Sequence, residues 1–161
     1  MNPSYFRIKL DIDKAIERLC VWNESDYKER IETEFSEAVD VSLDENGQWK
    51  GSCLYVYENE GWTVFEDLSG GYSFIGAEQW KDFAKGNEFV FAGYNDAILY
   101  AELIVIENGI VTKNFIEDYD MPEDNVNEGD GIADINDWTD VAGFVDDDEL
   151  VYSDEGIVII F

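Results

Sequence analysis

Between Glu88 and Ile116 the chain alternates apolar runs with short turn sequences, and no other segment constrains the fold as much. Glu88 to Gly93 and Ile98 to Ile106 read as strands joined near Asn95-Asp96, and Asn108-Gly109 turns the chain into a third run, Ile110 to Ile116. Asn-Gly suits the two central positions of a tight hairpin turn, both of which need positive φ. Three antiparallel strands in succession follow, and with them a sheet whose helices must lie elsewhere along the chain.

The remaining segments supply those helices. Ala15, Ile16, Leu19 and Trp22 fall on a helical period behind Asp11 or Asp13 as N-cap. A second helix is expected from Ser25 or Asp26 to about Val39, with Ile31, Phe35 and Val39 on one face. Leu54–Tyr57 and Trp62–Phe65 are β-rich runs on either side of Glu58-Asn-Glu-Gly61, a hairpin. Gly76 to Lys85 reads as a short helix with Trp80, Phe83 and Ala84 facing inward and Gly86 as its stop. Residues 118–136 have loop character, Trp138 to Phe144 a short helix behind Asn136 or Asp137, and Gly156–Phe161 a closing strand. That strand is apolar at every position from 157 to 161, which places it inside a sheet and covered on both faces. The expected fold is α+β: N-terminal helices packed on a mostly antiparallel sheet of hairpins, with short helices between strands. No repeat, low-complexity tract or linker divides the 161 residues, so a single domain spanning 1–161 is expected.

Composition bounds what such a fold could do. The chain holds 38 Asp+Glu against 10 Lys+Arg, a formal charge of −28, and no histidine. Hydrophobic residues at 45% and aromatics at 15% set it apart from disordered acidic chains. A surface of this sign repels phosphates and anionic membranes, so direct nucleic-acid and membrane binding are not expected. The absence of histidine removes Ser-His-Asp triads, Cys-His dyads and histidine-ligated metals. Cys20 and Cys53 are expected as free thiols. The Met1–Arg7 segment carries no apolar signal core, and a cytoplasmic location is expected.

Carboxylates are the abundant reactive groups, yet 38 of them form close pairs by chance, and mutual repulsion raises pKa values without any catalysis. A carboxylate-based hydrolase is therefore the weakest reading, and no catalytic residue is singled out. In the 120–134 stretch, Asp124 aligned to the first position of a calcium loop puts Gly129 correctly sixth. Val126 then falls third and Ile135 twelfth, so the pattern fails and neither metal nor cofactor is assigned.

What remains is the distribution of charge. Sixteen acids and no base lie between Glu117 and Glu155. A small domain is soluble at a net charge of about 2–8, so −28 is a several-fold excess whose self-repulsion costs stability. Halophilic adaptation is one explanation and complementarity to a basic partner is the other. On the second, the binding face comprises Asp118, Tyr119, Asp120, Glu123, Asp124, Glu128, Asp130 and Asp134 in the 117–134 loop, with Asp146, Asp147, Asp148 and Glu149 beside it. Tyr119, between two aspartates, would be an aromatic anchor, whereas Trp138 is better read as core.

The chain also resembles the immunity proteins of bacterial polymorphic-toxin systems. The resemblance rests on Phe74-Ile-Gly-Ala-Glu-Gln-Trp-Lys-Asp-Phe83, the strand Tyr100-Ala-Glu-Leu-Ile-Val-Ile-Glu-Asn-Gly109, the stretch Glu123-Asp-Asn-Val-Asn-Glu-Gly129 and Asp137-Trp-Thr-Asp-Val-Ala-Gly-Phe144. It implies a one-to-one protein inhibitor, monomeric when free, that neutralises a nuclease-like toxin domain without cofactor or turnover. A DNA mimic directed at a nucleic-acid enzyme would use the same charge against a different target.

Overall fold

The computed structural model describes residues 3–132, 134–147 and 154–161. In chain order the elements are β1 (Ser4–Ile8), α1 (Ile12–Asn23), β2 (Glu29–Thr33), α2 (Phe35–Ser42), β3 (Cys53–Asn59), β4 (Trp62–Asp67) and α3 (Ala77–Ala84). They continue with β5 (Phe89–Asn95), β6 (Tyr100–Glu107), β7 (Ile110–Asp118), a single 3-10 turn at Pro122–Asp124, β8 (Val126–Glu128), α4 (Trp138–Asp147) and β9 (Gly156–Ile160). The chain is α+β, and the β2–β9, β3–β9, β3–β4, β5–β6, β6–β7 and β7–β8 pairings are all antiparallel. It folds as two compact units, the chain crossing between them after Phe6 and again after Tyr72, with β9 belonging to the unit that begins at Arg7.

In the Arg7–Tyr72 unit the hydrogen-bonded strand order is β2-β9-β3-β4. The closing strand lies between β2 and β3, with Ile157 to Ile160 buried, as its unbroken apolar run requires. Gly156 is obligatory there, because a Cβ would stand 2.4 Å from the Tyr55 ring. Phe35, the first residue of α2, meets Tyr55 edge to face at 5.2 Å, so α2 covers this side of β3. Asp11 is the N-cap of α1, its carboxylate accepting from the Lys14 N–H. Cys20 and Cys53 are both free, the second buried.

One helix of the sequence reading is corrected here. Residues 25–39 do not form a single helix: Glu29–Thr33 is strand β2, paired with β9, and α2 begins only at Phe35. Ile31, Phe35 and Val39 fit a helical face, but Glu-Arg-Ile-Glu-Thr also fits the two-residue period of an edge strand. Backbone pairing to β9 decides between them. Strand β1 also stands where no element was expected.

In the other unit the strand order is β1-β5-β6-β7-β8. Asn108 and Gly109 have φ of 52° and 73° and form the expected tight turn between β6 and β7. Trp80 and Phe83 from α3 enclose Phe6, Phe89 and Phe91, with Trp80 stacked on Phe89 at 4.9 Å and on Phe91 at 5.4 Å. Side chains alternate along a strand, so α3 covers the face carrying Phe89 and Phe91. Helix α4 packs on β5 and β6, and the Tyr94 hydroxyl, on the alternate face of β5, donates to Asp146 at 3.2 Å. Asp137 and Asp140 cap α4 reciprocally: Asp137 accepts the Thr139 and Asp140 N–H groups, and Asp140 accepts those of Asn136 and Asp137. Trp138 is half-buried. The 118–136 region is also less irregular than expected, because β8 adds to the sheet along Asn114–Ile116.

Candidate functional site

The register of β5, β6 and β7 defines one end of the second sheet. Asn95 pairs with Tyr100 and Tyr100 with Asp118, so the 96–99 turn, the exit of β7 and the 3-10 turn gather there. Phe74, whose ring lies 4.5 Å from that of Tyr100, joins them. Four large apolar side chains are exposed at this end: Phe74 at 68%, Tyr119 at 71%, and Ile98 and Met121 beside the turns. Asp96, Asp120, Glu123 and Asp124 are exposed around them, and Asp146 reaches the same end through Tyr94. Apolar anchors inside a rim of one charge are the usual layout of a protein-binding patch.

The acids singled out in the sequence do not all share this place. Tyr119, Asp120, Glu123, Asp124 and Asp146 do. Asp118 sits at the same end but is only 9% exposed, and its carboxylate accepts the Asp120 and Met121 N–H groups at 2.9 and 3.2 Å. It shapes the turn that presents its neighbours and offers little surface of its own. Glu128 pairs with Asn114, four residues back along β7, so it lies about 13 Å from the Asp118 position at the usual strand rise. Asp130 continues away from the patch, since the next residue, Gly131, donates its N–H to the Thr112 carbonyl. Asp134 is exposed, at positive φ, next to the buried Ile135. Asp147 ends α4, while Asp148 and Glu149 lie outside the described residues. The 117–134 segment is therefore two acidic regions along one strand pair and not a single face.

Beneath the patch lies a carboxylate that charge density did not mark. Glu102 is 1% exposed in the middle of β6, its Oε2 accepting the Phe74 N–H at 3.0 Å, while Oε1 has no hydrogen-bond partner among the described residues. Burial pushes its carboxyl up to about 7 against the pull of that N–H and of the Tyr100 hydroxyl. Burial, then Glu102 and Asp118, push the Tyr100 phenol far above its ordinary range. Phe74 itself has φ of 64°, a left-handed conformation that costs a residue with a side chain about 1–2 kcal/mol. The visible signal for Glu102 was an acid interrupting the apolar run from Tyr100 to Ile106.

Two further carboxylates are withdrawn from water in the Arg7–Tyr72 unit, Asp67 buried and Glu66 half-buried. Glu66, on β4 opposite Tyr55, accepts from the Tyr57 hydroxyl at 3.3 Å and is likewise pushed by burial to about 7. Asp67 accepts the N–H groups of Gly70, Gly71 and Tyr72 at 2.8–3.1 Å and pins the chain after β4. Among the described residues no group of three or more Asp, Glu or Cys side chains is arranged to hold a metal ion. None of their helices is long and apolar enough to cross a membrane, which says nothing of a β-barrel. Compared with known proteins, the chain matches no family model, no curated sequence and no solved structure.

Proposed function

We propose that this chain is a non-catalytic acidic inhibitor. On this reading it binds and neutralises a basic protein partner as the immunity protein of a cognate, nuclease-like toxin domain. The observation that carries the reading is the end of the β5–β7 sheet, where exposed Phe74, Ile98, Tyr119 and Met121 stand among Asp96, Asp120, Glu123, Asp124 and Asp146. A nuclease holds its substrate in a basic cleft, and a rim of carboxylates can pair with the same Lys and Arg side chains that otherwise meet phosphates. Complementary charge speeds association, and apolar anchors slow dissociation. The protein acts stoichiometrically, as a free monomer in the cytoplasm, and needs no cofactor.

The test begins with the product of the adjacent gene. If it is a toxin, co-expression with this chain should restore growth, and the purified pair should bind. Replacing Asp120, Glu123 and Asp124 by the matching amides should slow association on the order of tenfold at low salt, and Tyr119→Ala should speed dissociation. Amides at Glu32, Glu37 and Asp40, exposed in the other unit, should leave both rates alone. Binding only to an enzyme that acts on DNA or RNA, with no toxin involved, would establish the DNA-mimic reading instead. A patch whose variants bind like the parent chain would remove it from the mechanism.

A further inference from the structure

We propose that Phe74, Tyr100 and Glu102 form a pH-sensitive latch at this end of the sheet, closed while Glu102 is protonated and opened when it ionises. The parts are a strained backbone, an exposed ring and a buried acceptor. Phe74 holds φ of 64° with its ring mostly in solvent, and its N–H is tied to Glu102 Oε2 at 3.0 Å. The ring rests on Tyr100, and Glu102 Oε1 has no hydrogen-bond partner among the described residues.

Among the described residues no cation acts on the carboxyl group. On β6 itself the titratable neighbour is Tyr100, and across the pairing from Tyr100 stands the acid Asp118. Opposite Glu102 are Gly93 on β5 and Ile116 on β7, neither of which titrates. Helix α3 turns Trp80 and Phe83 inward and keeps Glu78, Lys81 and Asp82 exposed.

Two effects of ionisation oppose each other. A carboxylate accepts the Phe74 N–H more strongly than a neutral carboxyl group does, which tightens the latch. Burial disfavours the charge, which loosens it. Burial is the larger, since the carboxyl is raised to about 7 with both donors in place. Movement of Phe74 is the least costly way to hydrate the group: it releases a strained residue and gives up one ring contact. An opened segment has an ordinary carboxylate at 4.5 in place of one near 7. Linkage then raises the opening equilibrium by about tenfold to a hundredfold between pH 5 and 8. The patch therefore opens more readily above neutral pH than below it, whichever partner it meets.

Amide exchange followed by NMR tests this on the whole chain, with rates corrected for the intrinsic effect of pH. The Phe74 N–H should lose protection by about ten- to a hundredfold between pH 5 and 8, and at every pH it should exchange faster than Ile104 in the middle of β6, which follows global unfolding. Glu102→Gln, isosteric and uncharged, should hold the Phe74 amide at its low-pH protection throughout. Tyr100→Phe, which removes a donor favouring the ionised form, should move the midpoint to higher pH. A flat profile in the parent chain overturns the latch. So do a Phe74 amide that exchanges no faster than Ile104, a pH response kept by Glu102→Gln, or a midpoint that Tyr100→Phe leaves in place.

Discussion

The two units carry nearly the same number of acids and use them differently. Residues 7–72 with 150–161 hold 18 acids and 7 bases, while residues 1–6 with 73–149 hold 20 acids and 3 bases. In the first, bases meet acids on the surface: Lys14 with Asp11, Arg30 with Asp13 and Lys50 with Glu29. In the second, Lys113 is buried and donates to Asn127 and the Gly129 carbonyl, so it neutralises none of the exposed acids at the sheet end. Acids of both units are also turned onto backbone N–H groups, Asp44 and Asp67 in the first and Asp118, Asp137 and Asp140 in the second, so the units differ in their surface pairs. A carboxylate excess can be absorbed by counter-charges or by donors of the chain itself, and the acids left over are the ones available to a partner.

The largest expected effect tests what the units share, a carboxylate in each that burial raises to about 7. Glu66 and Glu102 both lie near 7, raised by burial, against 4.5 in an open chain. Below about pH 4.5 both are protonated folded or unfolded and cost nothing. Between 4.5 and 7 the unfolded chain ionises first, so stability falls as pH rises, and above 7 the loss is complete. Each displacement corresponds to about 3 kcal/mol at full ionisation. Urea melts at pH 5 and 8 should show higher stability at pH 5, and Glu66→Gln and Glu102→Gln should each remove part of the difference. If one substitution alone flattens the profile, the two carboxylates are not equivalent.

A smaller effect separates two aspartates with similar duties. Asp67, itself buried, accepts three backbone N–H groups, of which that of Tyr72 is buried too, and Asp118 accepts two at the edge of an exposed turn. Asp67→Ala should cost about 2–3 kcal/mol, because the buried Tyr72 N–H loses its acceptor along with two more exposed donors. Asp118→Ala should cost about 1 kcal/mol, because water reaches the freed N–H groups. Thermal unfolding of both variants measures the contrast, and equal losses would mean that the turn after β7 is as closed to water as the one after β4.

Much of this fold could be read from residues alone. Asn108-Gly109, the Trp80–Phe83–Ala84 face and the apolar run of β9 each obey one local rule that the tertiary structure also obeys. Strand β2 could not, because Ile31 fits two periods and the strand that settles the matter lies more than 120 residues further on. The candidate site was half legible. Charge density pointed to Asp120, Glu123 and Asp124 but could not tell them from Asp118, since an aspartate facing solvent and one facing its own backbone are the same letter. Phe74 enters the sequence reading only through the family resemblance, and nothing there marks its positive φ or its exposure.

The smallest effect concerns salt, and it bears on the comparison most directly. Like charges repel within a Debye length of about 30 Å at 10 mM and about 10 Å at 0.1 M, so added NaCl should stabilise both units. It should help the unit with 20 acids and 3 bases more, because in the other the pairs at Lys14, Arg30 and Lys50 weaken as repulsion does. Native-state amide exchange resolves the two where a single melting curve cannot. Protection of β6 amides should rise by about two- to fivefold between 10 and 200 mM NaCl, and that of β3 amides by less. A larger gain in β3 would mean that surface pairs relieve little of the repulsion in their own unit. The acids at the end of the β5–β7 sheet would then hold less stored repulsion for a basic partner to release.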